Sequence, residues 1–226
     1  MSWLDEHALS VYSQNGEDGI IAHIFSVIGH ESHLFIEFGF SVPECNSWRL
    51  VEEEGFGGLF IDKSDVCAAL KAKLAAQERI NVRVVRESLT VENIEEVLSW
   101  MPAEIDMMSI DVDGNDYWLW KAIERTSPRL VVIEFNKALG PDISVTIPYD
   151  PDFSWACGSY FGASLRALAR LGKLKGYKLI GCEPIGVNAF FLRNDIDGFD
   201  AVDPSDAFAW GSCGWDGLKE LAWVEI

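Results

Sequence analysis

Met107-Met108-Ser109-Ile110-Asp111-Val112-Asp113-Gly114-Asn115-Asp116-Tyr117-Trp118 is the stretch on which the fold turns. An apolar run stops abruptly at three acids, Asp111, Asp113 and Asp116, with Gly114 among them. A short apolar run before a glycine-containing turn is the pattern of a buried strand. The acids then stand just past its carboxyl end, where open parallel α/β sheets bind their ligands. Three further runs end the same way: Leu34-Phe35-Ile36 in Glu37 and Gly39, Leu59-Phe60-Ile61 in Asp62, and residues 130–133 in Glu134, Phe135 and Asn136. Any one of these tips is equally well a solvated carboxylate in a loop. Four of them on one sheet edge make a site.

Outward from that strand, helical and strand periods alternate. Residues 13–29 read as a helix capped by Asn15, with Asp18 in the first turn, an apolar stripe at Ile20, Ile21, Ile24, Phe25 and Ile28, and a stop at Gly29. The polar lead-in Tyr12-Ser13-Gln14-Asn15 is either part of that cap or a flap over a ligand. Gly39, just after a buried strand, lets backbone approach a ligand closely, and a helix starting near Glu44 would aim its N-terminus at the same place. Only one glycine stands there, so the dinucleotide fingerprint G-x-G-x-x-G is absent. Asp62, at the end of the second strand, is placed to accept ribose hydroxyls.

Ser64 opens a helix to about Ala76, and residues 82–85 form a strand leading to Glu87, Ser88 and Leu89. Thr90 caps a helix through Leu98, residues 115–124 form the next, and Pro128 ends that connection. This alternation is that of a parallel sheet with right-handed crossovers.

Residues 137–158 break the rhythm, with Pro141, Pro148 and Pro151. Loops of that length are usually functional, and Tyr149, Phe153 and Trp155 suit a pocket wall. A helix over 162–172 follows, then strands over 177–182 and 187–193 joined as a hairpin by Glu183-Pro184-Ile185-Gly186. The acidic tail from Asn194 carries Trp210, Trp215 and Trp223, which are expected to pack back, since free indoles make a sticky surface. With neither repeat nor linker, one domain over residues 1–226 is expected, its core about 12–193 and its acidic, aromatic tail 194–226.

Composition narrows the function classes. Hydrophobic residues make up 49% of 226, enough for a full core. A formal net charge of −18 disfavours nucleic acid and anionic membrane as partners. No run nears the roughly 18 apolar residues of a membrane span, and MSWLDEHALS is no secretory signal. Cys45, Cys67, Cys157, Cys182 and Cys213 form no C-x-x-C pair, so reduced thiols and a cytoplasmic location are expected. The histidines are His7, His23, His30 and His33, all early in the chain, where helix-face or loop positions suit them better than catalysis.

Several blocks together resemble the FkbM-like methyltransferases, within the class I S-adenosylmethionine-dependent group. They are Tyr12-Ser13-Gln14-Asn15-Gly16-Glu17-Asp18-Gly19, Phe35-Ile36-Glu37-Phe38-Gly39, Ser109-Ile110-Asp111-Val112-Asp113-Gly114-Asn115-Asp116-Tyr117, Ile133-Glu134-Phe135-Asn136, Tyr160-Phe161-Gly162-Ala163-Ser164-Leu165 and Asn188-Ala189-Phe190-Phe191. The resemblance implies an α/β, Rossmann-like sheet of seven strands, mostly parallel, with an antiparallel C-terminal hairpin. It implies S-adenosylmethionine as cofactor and methyl transfer, to oxygen, of a small or medium organic acceptor.

Residue by residue, Glu37 and Gly39 match the part that holds the cofactor's amino-acid end. Asp62 matches the ribose acid, Ser88 and Leu89 lie where adenine rests, and Asp111 matches the acid beside the methylsulfonium. Gln14, Ser41 and Asn46 complete the expected cofactor-binding set. Phe40-Ser41-Val42-Pro43 follow Gly39 where the family has more glycine, so that turn takes another path.

For the chemistry, Asp111, Asp113 and Glu134 are the candidate catalytic acids, acting directly as base. Alternatively Asp111, Glu134 and Asn136 hold a magnesium ion, hard oxygen donors with no His or Cys nearby to favour zinc. Two other classes stay open. Asp111-x-Asp113-Gly114 looks like the nucleophile motif of haloacid-dehalogenase phosphatases, and the same cleft could serve a non-catalytic nucleotide-binding or regulatory module. A calcium loop of EF-hand type fails, because its glycine would stand sixth and here stands fourth.

Overall fold

The computed structural model describes residues 3–42, 44–211 and 214–226; Pro43 of the turn after Gly39, and Cys213, lie outside them. In chain order the elements are α1 (Trp3–His7), α2 (Glu17–Ile28), β1 (Leu34–Phe38), α3 (Trp48–Glu54), β2 (Gly57–Asp62), α4 (Val66–Ala76) and β3 (Val82–Arg86). Then come α5 (Ile94–Val97), β4 (Glu104–Ile110), α6 (Asp116–Ala122), β5 (Ser127–Glu134), a 3₁₀ turn (Lys137–Leu139) and β6 (Val145–Thr146). The chain ends with α7 (Leu165–Leu174), β7 (Tyr177–Cys182), β8 (Asn188–Arg193), α8 (Trp215–Leu218) and β9 (Val224–Glu225).

Seven strands form one sheet in the order β3-β2-β1-β4-β5-β8-β7. The pairs β2/β3, β1/β2, β1/β4 and β4/β5 are parallel. β8 is antiparallel to both neighbours, so it alone runs against the rest. Strands buried on both faces carry near-continuous apolar runs, as in Phe35-Ile36 and Met107-Met108, whose members divide between two cores. Ile36 and Met108 face one with Ile94, Leu119, Trp120 and Leu168 of α5, α6 and α7. Phe35 and Met107 face the other with Leu4, Ile20, Ile24, Trp48 and Leu70 of α1 to α4. β2 leads to β1 and then outward to β4, so strand order reverses between β1 and β4. That switch point opens a crevice at the strands' carboxyl ends.

Local departures from the sequence expectations have chemical causes. Asn15 does not cap α2: Gly16 holds the cap position in the left-handed region, φ 93°, and the acids of the first turn reach back instead. Asp18 accepts from Val11 N (3.0 Å), Tyr12 N (2.8 Å) and Ser13 Oγ (2.6 Å), while Asn15 donates to Glu17 through both backbone and side chain. Pro128 lies inside β5, opposite Ile105, not before it. The α7 helix starts at Leu165 because Ser164 Oγ accepts from Ala167 N at 3.2 Å and Gly162 has φ +56°.

The 137–158 segment holds a 3₁₀ turn and β6, which pairs with β9. In the tail, Trp210 meets Phe135 of the core and Trp223 stacks edge-on against Tyr160. Among the described residues no helix is long and apolar enough to cross a membrane.

Candidate functional site

A cavity of about 330 Å³ occupies the crevice at the switch point. Its wall from β1 and the following turn is Glu37, Gly39, Phe40, Ser41, Glu44, Cys45 and Asn46. The β2 tip gives Asp62 and Lys63, the segment after β3 gives Glu87, Ser88 and Leu89, and the β4 tip gives Asp111, Val112, Asp113 and Asn115. Gln14, Asn15, Glu17, Pro151, Phe153, Val187 and Asn188 complete the lining. Gln14, Glu37, Gly39, Ser41, Asn46, Asp62, Ser88, Leu89 and Asp111, scattered over the sequence, are thus brought together. The lead-in before α2 does both jobs in part: Gln14 and Asn15 line the cavity, and Ser13 Oγ accepts from Asp18 N in the first turn of the helix at 3.1 Å.

The β1 tip is built around Glu37, which is 2% exposed. Asn46 N and Ser47 N, at the start of α3, donate to its two oxygens at 2.8 Å each. A carboxylate at a helix N-terminus satisfies free N–H groups and complements the dipole. Asn46 is further held by donating to Ser109 Oγ at 3.0 Å, tying the turn to β4.

Burial outweighs these bonds and pushes Glu37 from the usual 4.5 up to about 7. Asp116 is pushed from 3.8 up to about 6, again by burial. A carboxyl that binds its proton more tightly when folded contributes stability that is complete below its unfolded pKa. That stability is lost as pH rises through the folded pKa, here about 3 kcal/mol for Glu37. The ligand-free protein is therefore expected to melt at higher temperature at about pH 5.5 than at about pH 8, and Glu37→Gln to flatten that slope. Thermal melts in which the wild type gains stability across this interval contradict the assignment.

At the β4 tip, Asp116 is structural. Its oxygens accept from Val112 N (2.8 Å) and Gly114 N (2.9 Å), clamping the turn that presents Asp111 and Asp113. Asp113 sits in the left-handed region, φ 60°, which Asp tolerates better than most residues. Carboxylate oxygens of Asp111, Asp113 and Glu134 lie within 4.8 Å of one another. Burial, then the neighbouring acids, raises Asp111 well above the carboxylate range, and Glu134 likewise. Glu134 Oε2 is buried with no hydrogen-bond partner among the described residues.

Asn136, expected as a metal ligand, has other work. Its Oδ1 accepts from Ala138 N at 3.0 Å, and its Nδ2 donates to Ser159 O (2.8 Å) and Phe161 O (3.0 Å). It fixes the 3₁₀ turn and the segment before α7, while Asp113 joins Asp111 and Glu134 in the carboxylate group.

The aromatic wall is narrower than the sequence implied. Phe153 lines the cavity, seated on Gly114, where a Cβ would meet its ring at 2.4 Å. Tyr149 instead donates to Glu92 at 2.7 Å, and Trp155 packs on Phe161. Sequence reasoning passed over Glu17, Asn115 and Asn188 as site residues, although each stands in a quoted block. Glu17 and Asn188 meet through a hydrogen bond spanning 171 positions, Asn188 Nδ2 to Glu17 Oε1 at 2.9 Å, which no local pattern announces.

No family model and no curated protein matches the sequence. Solved structures do match its fold. The N-terminal domain of EvdMO1, solved with SAH bound, aligns with TM-score 0.50 at 9% identity over 80% of this chain and 80% of that one. An O-methyltransferase from Bacillus cereus in complex with SAH aligns with TM-score 0.51 at 13% identity, covering 84% and 83%. The methyltransferase domain of bacterial CtHen1-C aligns with TM-score 0.50 at 16% identity, covering 79% and 97%. At such identities the likeness is one of fold: a Rossmann-like methyltransferase sheet.

Proposed function

We propose that this chain is an S-adenosylmethionine-dependent methyltransferase of FkbM-like type, cytoplasmic, acting on an oxygen of a small organic acceptor. The observation that supports it most is the cavity's place. It opens at the strand-order reversal of a methyltransferase-type sheet, and Glu37, Gly39, Asp62, Ser88, Leu89 and Asp111 line it. The bound cofactor would supply an electrophilic methyl group on a sulfonium centre. In the cleft, Asp62 accepts the ribose hydroxyls, Ser88 and Leu89 border the adenine, and Glu37 with the start of α3 holds the amino-acid end. Asp111 and Asp113 line the cavity, and Glu134 lies beside them; one of these carboxylates would take the proton of the reacting oxygen, or the three would hold a cation that lowers that hydroxyl's pKa so that a carboxylate or water takes the proton. Alignment of acceptor oxygen and methyl carbon is the larger part of the catalysis, an orientation effect worth several kcal/mol. The acidic lining and the net charge of −18 argue against a nucleic-acid acceptor.

Asp62 provides the direct test. Its Oδ1 accepts from Ser64 N at 2.6 Å, which leaves Oδ2 for a ligand and fixes the side chain in place. Charge-assisted hydrogen bonds to ribose are worth about 1.5–3 kcal/mol each, so Asp62→Ala is expected to weaken S-adenosylmethionine binding at least tenfold by calorimetry. Unchanged affinity in the variant, or no binding by the wild type, overturns the cofactor assignment. Binding without label transfer to any metabolite pool would instead favour the non-catalytic module, and turnover of an aryl phosphate the phosphatase.

A further inference from the structure

The segment between Phe153 and Ser159 arches from one strand tip to the next. Up to Phe153 the chain is fixed. Trp118 Nε1 donates to Ile147 O at 2.9 Å, Asn115 Nδ2 to Asp150 O at 2.8 Å, and Tyr149 Oη to Glu92 at 2.7 Å. The Phe153 ring then rests on Gly114, in the turn that presents Asp111 and Asp113. From Ser159 the chain is fixed again. Asn136, just past Glu134 at the β5 tip, donates through Nδ2 to Ser159 O (2.8 Å) and Phe161 O (3.0 Å). One anchor therefore stands at the β4 tip and the other at the β5 tip. These strands are neighbours, and the carboxylate group of Asp111, Asp113 and Glu134 lies at their ends.

Between the anchors the chain is loosely held. Residues 154–159 are all exposed. Trp155 Nε1 donates to Gly158 O at 3.0 Å, within the segment, and among the described residues 154–158 make no hydrogen bond outside it. A segment with few buried contacts and no external hydrogen bonds belongs to the low end of local stability. Trp155 is 44% exposed, its ring 5.8 Å from that of Phe161, and an indole is a large apolar group to leave in water. Cys157 takes φ 69°, a left-handed conformation that is uncommon and costly for a residue with a Cβ. The segment is also long for its place. Neighbouring strands stand about 4.8 Å apart, whereas six extended residues reach about 20 Å. The arch therefore has the length to move without disturbing either anchor.

We propose that residues 154–158 are a lid that folds down over the carboxylate group when the cleft is filled, with the Trp155 indole as its covering face. This rests on the methyltransferase assignment and adds a closing step to it. Closure takes the indole out of water and shuts bulk water out of the place where acceptor oxygen and methyl group meet. It also holds the ligands until the lid opens. Phe153 and Ser159 are the fixed ends about which the lid turns, so Pro151 and Phe153 keep their places in the cavity wall. Trp155 acts by retaining ligands, and its loss shows in their release.

The test uses the full chain and S-adenosylhomocysteine. Saturation with this ligand is expected to slow backbone hydrogen exchange over residues 154–158 at least tenfold. With Cys213→Ser in place, Cys157 is the exposed thiol among the described residues and serves as a second reporter. Its alkylation by iodoacetamide is expected to slow at least fivefold on saturation. Trp155→Ala is expected to speed release of S-adenosylhomocysteine at least tenfold in stopped flow, with the association rate held within threefold, and Trp155→Phe to recover most of the retention. Hydrogen exchange on the wild type needs no variant, so a misfolded variant does not blunt the test. Unchanged exchange over 154–158 while the ligand binds overturns the lid, as does unchanged alkylation of Cys157. An unchanged release rate in folded Trp155→Ala overturns it too. Failure of the wild type to bind S-adenosylhomocysteine at all is a different result: it overturns the methyltransferase assignment, and the lid with it.

Discussion

Gly39→Ala is expected to cost about 4 kcal/mol or more of folding stability, at the far end of single-substitution effects. Gly39 has φ +66°, and a Cβ placed there would stand 1.5 Å from the Asp111 carbonyl oxygen and 2.7 Å from its carbon. Both sides of that contact are pinned. Gly39 N donates to Ile61 O and Asp111 N to Phe38 O, each at 3.0 Å. Backbone cannot swing aside as a side chain can, so the β1 and β4 tips must part. Their separation also dismantles the crevice between Glu37 and Asp111. Gly55→Ala is the matched control, because Gly55 has φ +69° and open space around its Cβ position. It should lose only the left-handed strain, about 1 kcal/mol. Urea unfolding of the two variants checks this. Similar midpoints for both would show that the close approach to Asp111 carries no weight.

The same contact shows what the sequence could and could not disclose. An apolar run stopping at Asp111-x-Asp113-Gly114 is local, so the strand, its turn and its acids are legible from a dozen residues. So is the crossover rhythm from β1 to β5, because burial on both faces leaves near-continuous apolar runs. Glycine at position 39 was legible as a close approach, though not as an approach to Asp111, 72 positions away. Long-range pairing is where reading stops. Asp116 looked like one more site acid, but it clamps Val112 N and Gly114 N and shapes the turn. Asn136 looked like an oxygen ligand, yet its three bonds hold the backbone of two loops. Asn15 had the composition of a cap, but with Glu17 and Asp18 immediately downstream it became a donor to one of them. In each case residue type fixed the capacity to hydrogen-bond, and tertiary structure chose the partner.

Removal of divalent cations is expected to abolish methyl transfer, with magnesium or manganese restoring it. Asp111, Asp113 and Glu134 bring carboxylate oxygens within 4.8 Å of one another. Burial, and then the like charges of the neighbouring acids, makes Asp111 and Glu134 hold their protons well above the ordinary carboxylate range. Two arrangements relieve the repulsion: protons on the acids, or a cation among them. Glu134 Oε2, buried and unpartnered among the described residues, favours the second, and hard oxygen donors without His or Cys select magnesium over zinc. A cation held there would lower the pKa of an acceptor hydroxyl and fix its direction. Asp111→Asn and Glu134→Gln should each cut turnover by about 10³-fold at saturating cofactor, within the range for loss of a proton-transfer group or its equivalent. Calorimetry gives a readout independent of turnover: magnesium titrated into the wild type should bind at one site, and into the double variant at none. Cation affinity should rise with pH, because the acids must shed protons to bind. Full turnover in excess EDTA, with no magnesium heat, leaves Asp111 and Glu134 as the direct base. In that case Asp111→Asn still loses activity, and the loss is insensitive to added metal.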